Sequence, residues 1–200
     1  MNWKWPLTRH EIDLGGTILG LEIVADPDAV LDAAVEDERE GRPATLPYWA
    51  NLWPSGIALA RWAFANVRPG QTVLDLGCGM GVVGAAAAKA GGIVTVADIE
   101  PDAVDLAVRN SGGRGVVFDF VTEQLDASFD WIFGADVLYE PQLAGPVLAF
   151  VVNHGGRAVL ADPNRSSAEA LLALGEFRAV TIEPGVRLIF VGPNKNTHAG

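Results

Sequence analysis

The sequence predicts an α/β fold: a seven-stranded, mostly parallel sheet with a C-terminal antiparallel hairpin, preceded by an N-terminal β-hairpin and a helix. Three observations predict it. From Thr72 onward, short apolar runs alternate with helical stretches, the pattern of βαβ units whose sheet is covered on both faces. The first run enters its helix through a glycine-rich stretch, "LGCGMGVVG". The last two runs, "AVTIE" and "VRLIFVG", are separated only by Pro184-Gly185, so they pair as antiparallel neighbours.

In chain order, "EIDLGGTILGLEIVAD" (Glu11 to Asp26) reads as two short strands around Gly15-Gly16. "PDAVLDAAVEDEREGRP" reads as a helix opened by Pro27 and ended by Gly41 and Pro43, with "EDERE" as its solvated face. "PYWANLWPSG" (Pro47 to Gly56) then concentrates aromatic side chains: Trp49 reads as core, while Trp53 and Tyr48 stand beside the glycine stretch. "SGIALARWAFANV" reads as a helix capped by Ser55, with Ile57, Leu59, Ala60, Ala63 and Phe64 on its apolar face and Trp62 in the core.

Strands follow at "TVLDLG", "IVTVAD", "GVVFDF", "DWIFGAD" and "RAVLAD", with helices at "VVGAAAAKAGG", "PDAVDLAVRNSGG", "PQLAGPVLAFVVNHGG" and "SSAEALLALGEF". Gly145-Pro146 must interrupt or delay the third of these helices, because proline lacks the amide donor. The expected organisation is one domain, with an extension over 1–46, the sheet-bearing core over 47–192 and a disordered tail over 193–200.

Composition narrows the function. Half of the 200 residues are apolar, which excludes a disordered chain. The net charge is −11 with only 14 Lys and Arg, whereas a phosphate-tracking surface needs the opposite sign, so no nucleic-acid partner is expected. The single cysteine, Cys78, excludes an internal disulfide and a CxxC zinc site, and His10, His154 and His198 are scattered, so no metal is expected. His154 reads as a loop histidine beside Gly155-Gly156. No apolar run reaches membrane-span length and the first residues lack a signal-peptide core, so a cytoplasmic location without a membrane partner is expected.

The glycine stretch admits two registers. Gly79, Gly81 and Gly84 match GxGxxG, a dinucleotide fingerprint, while Asp75, Gly77, Gly79 and Gly81 match DxGxGxG, which resembles the S-adenosylmethionine loop of seven-stranded methyltransferases. Asp98, ending the next strand, suits either as a ribose-hydroxyl acceptor. Three features favour the methyl donor: the acid inside the strand end at Asp75, the seventy or so residues of other structure ahead of the βα series, and the closing antiparallel pair.

"PYWANLWPSG", "VLDLGCGMGVVG", "VADIEP" and "GADVLYEP" together resemble the methyltransferase-like protein-lysine methyltransferases, a group that includes enzymes acting on the electron-transfer-flavoprotein β subunit. The resemblance spans roughly Pro47 to Asp162 and implies a Rossmann-like class I methyltransferase fold, S-adenosyl-L-methionine as cofactor and a lysine-containing protein as substrate. It implies that Trp53 lies against the donor, that Asp75 belongs to the cofactor-binding residues of the loop, that Gly77 and Gly79 face the methionine portion, and that Asp98 binds the ribose. Asp119 and Phe120 would flank the adenine, Ala135 would expose backbone to the cofactor, and Asp136 and Tyr139 of the DxxY element would border the acceptor. Relatives often carry Trp where Phe120 stands.

In-line methyl transfer to an amine requires alignment and exclusion of water more than a nucleophilic side chain. The lysine must still lose a proton, its free pKa being about 10.4. Asp136 can accept hydrogen bonds from the amine and Tyr139 can offer a ring face to the developing cation. A small-molecule methyltransferase and a dinucleotide-binding oxidoreductase or sensor are the rival readings. A nucleic-acid adenine methyltransferase would carry an NPPY-type loop where this chain reads "ADVLYE".

Overall fold

The computed structural model describes residues 3–42, 45–155 and 157–192; the tail 193–200 and Pro43, expected as a helix stop, lie outside them. Strands β1 (Leu7–Asp13) and β2 (Ile18–Val24) form a separate antiparallel hairpin. Asp13 fixes its turn by accepting the amides of Gly15 and Gly16 at 2.9 and 2.6 Å. Helix α1 (Pro27–Arg39) opens on Asp26, whose carboxylate accepts the Ala29 amide, and a single 3₁₀ turn (Tyr48–Ala50) leads to α2 (Pro54–Asn66). The expected cap of α2 is corrected here. Trp53 occupies the N-cap position, and Ser55, two positions further in, sends its hydroxyl across to Asp136 instead.

The chain then alternates through β3 (Thr72–Leu76), α3 (Val82–Lys89), β4 (Ile93–Asp98), α4 (Pro101–Ser111), β5 (Arg114–Val117), β6 (Trp131–Ala135), α5 (Ala144–Asn153), β7 (Ala158–Asp162), α6 (Ser166–Leu172), β8 (Arg178–Glu183) and β9 (Val186–Val191). The seven-stranded sheet has the order β5-β4-β3-β6-β7-β9-β8, with β5 to β7 parallel and β9 antiparallel to both its neighbours. Gly145-Pro146 delays the third core helix as expected: a 3₁₀ turn (Pro141–Leu143) precedes α5, which accommodates Pro146 in its first turn. Strand β5 is shorter than expected. Its ladder stops at Val117, after which the Phe118 amide makes one last bond to the Asp98 carbonyl and the chain turns at Asp119.

Strand parity divides the core. Val73, Phe133, Val159 and Leu188 face the layer of α2, α3 and the N-terminal hairpin, whereas Leu74, Ile132, Leu160 and Ile189 face α5 and α6. These eight side chains are fully buried, which locks the register because a one-residue slip would exchange the two faces. Trp49 takes a core position and Trp62, partly buried, packs against the core, edge-on to Trp131, Phe133 and Phe190. His154 departs from the expected loop histidine. It is buried at the C-cap of α5, stacked on Phe150, with its ring nitrogens 2.7 Å from the Phe150 carbonyl and 2.6 Å from the Leu125 carbonyl.

Candidate active site at the carboxyl ends of the strands

Successive connections run outward from β3 to β5 on one side, and the chain then returns to place β6 on the other side of β3. A crevice therefore opens above the carboxyl ends of β3 and β6, the place where open α/β sheets bind ligands. Five segments meet there: the glycine loop after β3, the ends of β4, β5 and β6, and the aromatic segment before α2.

Gly77, Gly79 and Gly81 all have positive φ, so the loop coils tightly between β3 and α3. At Gly81 a Cβ would stand 2.6 Å from the Ala107 Cα of α4, and at Gly77 it would stand 2.8 Å from Val137. Side chains are thus excluded at Gly77 and Gly81, and those of Cys78 and Met80 between them are buried. Asp75 lies beneath the loop rather than in the crevice. It is 2% exposed, and its carboxyl accepts the Gly84 amide at 2.8 Å, one of the unpaired donors in the first turn of α3. Burial pushes its pKa up to about 8; the Gly84 amide opposes that rise and the charge of Asp98 adds to it.

Asp98 ends β4 at the rim. Its two oxygens accept the amides of Gly79 at 3.0 Å and Glu100 at 3.1 Å. A carboxylate offers about four acceptor positions, so two remain for a ligand. Burial raises its pKa, the backbone amides of Gly79 and Glu100 oppose the rise, and the Glu100 charge adds to it. Asp119 shapes the next loop by accepting the Val121 amide at 2.9 Å and the Thr122 hydroxyl at 2.7 Å, and half-buried Phe120 lies on the α5 side of the core, lining a pocket with Pro146, Ala149 and Phe150.

The aromatic segment rides on the glycine loop through Trp49, whose carbonyl would lie 3.4 Å from a Cβ on Gly79. Trp53, 37% exposed, sits beside it, donating its indole N–H to the Tyr48 carbonyl at 3.0 Å. Tyr48 links the two halves of the rim: its ring is 6.4 Å from Trp53 and 6.4 Å from Tyr139. Tyr48 and Tyr139 are 54% and 51% exposed and, with Trp53, make one contiguous aromatic patch at the rim. Burial raises the Tyr139 pKa, and Glu140, Asp98, Asp119 and Tyr48 raise it further, so three carboxyl groups surround the mouth of the crevice near Tyr139.

Ala135 ends β6 beside Gly56 of α2, whose lack of a side chain lets the helix approach. Asp136 follows in a left-handed conformation, φ +60°, with its amide bonded to the Ala161 carbonyl of β7. Its carboxylate accepts the Ser55 hydroxyl and forms an ion pair with Arg165, 2.5 Å away. Burial raises the Asp136 pKa while Arg165 lowers it and Asp162 adds a smaller increase.

The structure thus brings Gly77, Gly79, Asp98, Asp119, Tyr139, Asp136, Ala135 and Trp53 to one rim, and leaves Asp75 buried under it. Sequence reasoning missed Ser55 as a partner of Asp136, and it missed Arg165, Asp162 and Arg187 altogether. A signal was present. The dipeptide Ala-Asp ends β4, follows into the loop after β6 and ends β7, as "VAD", "GAD" and "LAD", so three acids recur at the carboxyl side of the sheet.

Residues 61–134 match the family model of the methyltransferase small domain. Over 139 residues the chain is 34% identical to the electron transfer flavoprotein beta subunit lysine methyltransferase of Danio rerio, covering 64% of this chain and 54% of that one. Over 152 residues it is 34% identical to the ribosomal protein L11 methyltransferase of Cupriavidus metallidurans, covering 74% of this chain and 47% of that one. The chain spans about half the length of the curated relatives it matches. Among solved structures, the ribosomal protein L11 methylase from Lactobacillus delbrueckii subsp. bulgaricus superposes with a TM-score of 0.58 at 20% identity, covering 92% of this chain and 98% of that one. The N-methyltransferase NodS from Bradyrhizobium japonicum, solved with S-adenosyl-l-homocysteine, superposes with a TM-score of 0.56 at 16% identity, covering 82% and 98%. By sequence the chain is similar to both the electron transfer flavoprotein beta subunit lysine methyltransferases and the ribosomal protein L11 methyltransferases, and its Rossmann-like fold is that of the class I S-adenosylmethionine-dependent methyltransferases.

Proposed function

We propose that this chain is an S-adenosylmethionine-dependent N-methyltransferase that acts on a lysine side chain of a protein. The observation that carries the reading is the junction of Gly79 with Asp98: a loop with three left-handed glycines bonded to an acid that keeps acceptor positions at the rim. That junction fits an adenosine cofactor. Gly77 and Gly79 offer close backbone approach to its amino-acid portion, and Asp98 offers acceptors to its ribose diol. Asp119 and Phe120, in the loop after β5, are assigned to flank the base, and Asp75 acts from below by holding the first turn of α3 against the loop. When bound, S-adenosylmethionine supplies an electrophilic methyl group on a sulfonium.

The chain's own residues account for selection of an amine. The carboxyl groups around Tyr139 attract a cation, and the faces of Tyr48, Trp53 and Tyr139 receive it. Deeper in, Asp136 is anchored by Ser55 and Arg165 and can accept a hydrogen bond from the amine, which orients its lone pair. A carboxylate so engaged is better suited to anchoring than to taking a proton, so the proton leaves to water at the exposed rim. The relatives named as lysine and ribosomal-protein methyltransferases favour a protein acceptor. The lone thiol, Cys78, suits a reducing cytoplasm.

The test is transfer of radioactive methyl from S-adenosylmethionine into a cell extract, with and without protease digestion of the products. Label retained on protein and released by protease supports the reading. Label found only in small molecules would replace it with a metabolite methyltransferase.

A further inference from the structure

Two non-glycine residues have positive φ among the described residues: Asp136, φ +60°, in the loop after β6, and Asn164, φ +63°, in the loop after β7. Such conformations cost energy and persist where surrounding contacts enforce them. Here the two loops face each other, and what lies between them is the pair Arg165–Asp136 at 2.5 Å. The side chains are largely buried, 31% and 13% exposed.

The surrounding groups are fully specified. From α2, Ser55 donates to Asp136. From β7, Asp162 is 0% exposed, accepts the Arg165 amide at 2.7 Å and stands 3.9 Å from the Arg165 guanidinium. From β9, Arg187 lies 3.7 Å from Asp162, and it also pairs with Glu169 of α6 at 2.6 Å. Arg187 therefore serves Asp162, and Arg165 is left as the cation for Asp136.

We propose that Arg165 is the positioning residue of the acceptor site: its guanidinium clamps the Asp136 carboxylate against Ser55 and sets a fixed positive charge beside the place where the amine enters. The inference rests on the methyltransferase reading and deepens it. The carboxyl groups at the mouth draw the lysine in as a cation, and a floor whose acid is already paired does not hold it as one. The fixed charge disfavours a second cation at that depth and so favours the neutral amine, the form with a free lone pair.

The pair can be tested without knowing the acceptor. Carbon-13 NMR of aspartate side-chain carboxyls follows the titration of Asp136, its resonance assigned by its loss in Asp136→Asn. An opposite charge at this distance lowers an aspartate pKa by about 1–3 units. Arg165→Gln is expected to move the Asp136 titration upward by at least ~1 pH unit. Arg165→Lys restores most of it, and Ser55→Ala, which leaves the ion pair in place, moves it less than Arg165→Gln does. The acid limb of methyl transfer into protein extract moves with the titration. An Asp136 titration unmoved in Arg165→Gln, or moved further by Ser55→Ala, overturns the proposal. Failure of the wild-type chain to bind S-adenosylhomocysteine would overturn the methyltransferase reading instead, and the carboxyl titration would still decide the role of Arg165.

Discussion

Asp75→Asn keeps an oxygen that can accept the Gly84 amide and removes the ionisable group beneath the glycine loop. In the wild-type chain, burial lifts this carboxyl from 3.8 to about 8. Between those values the folded protein retains a proton that the unfolded chain has lost. Proton binding by the folded state exceeds that of the unfolded state, so stability falls as pH rises through this window and levels off above it. The slope from this one group is about 1.4 kcal/mol per pH unit. Between about pH 5.5 and pH 7.5 it amounts to roughly 2.7 kcal/mol, or about 5–10 °C in melting temperature for a chain of this size. Asp75→Asn lacks that slope. Its extra amide hydrogens add a constant offset, so the readout is the difference in unfolding free energy between variant and wild type, measured by urea titration at several pH values. A difference that climbs with pH is expected. A flat difference would show that the folded state holds Asp75 ionised against the first turn of α3, refuting the assignment of burial as the dominant influence.

The remaining predictions concern the loop and the rim. Asp136→Asn should leave S-adenosylhomocysteine affinity within about twofold while lowering methyl transfer by ~100-fold or more, since misorientation alone can cost that much; calorimetry and the extract assay separate the two. Tyr139→Phe should keep most transfer activity and Tyr139→Ala should lose it, because the ring face rather than the hydroxyl receives the cation. Gly81→Ala should destabilise the fold by about 2–5 kcal/mol in urea titration, combining left-handed strain with overpacking against Ala107.

Much of this site was legible in sequence because its signals are local. Strand, glycine loop, helix and distal acid occur in order from Thr72 to Asp98, and the Pro184-Gly185 turn fixes the antiparallel pair beside β7. What escaped depends on contacts between distant positions. Ser55 reads locally as a helix cap, yet Pro54 already occupies the first helical position and the hydroxyl finds Asp136, 81 positions away. Arg165 looks like a surface charge until β7 is placed beside β6, which brings Asp162 next to Asp136. His154 has the neighbours of a loop residue, but the glycine that follows ends α5 and turns the ring inward onto Phe150. Phe120 was expected at a strand end, and the ladder stops three residues earlier, where Asp119 turns the chain by capturing the Val121 amide.

The central claim is that the Gly79–Asp98 junction binds an adenosine-bearing methyl donor. Isothermal titration of S-adenosylhomocysteine, with NAD and NADP in parallel, into the wild-type chain and Asp98→Ala tests it directly. Saturable binding of S-adenosylhomocysteine alone is predicted, weakened about 10–100-fold in Asp98→Ala by loss of the charge-assisted bonds to the ribose. Binding of NAD or NADP without S-adenosylhomocysteine, or affinity for the latter unchanged in Asp98→Ala, would contradict it.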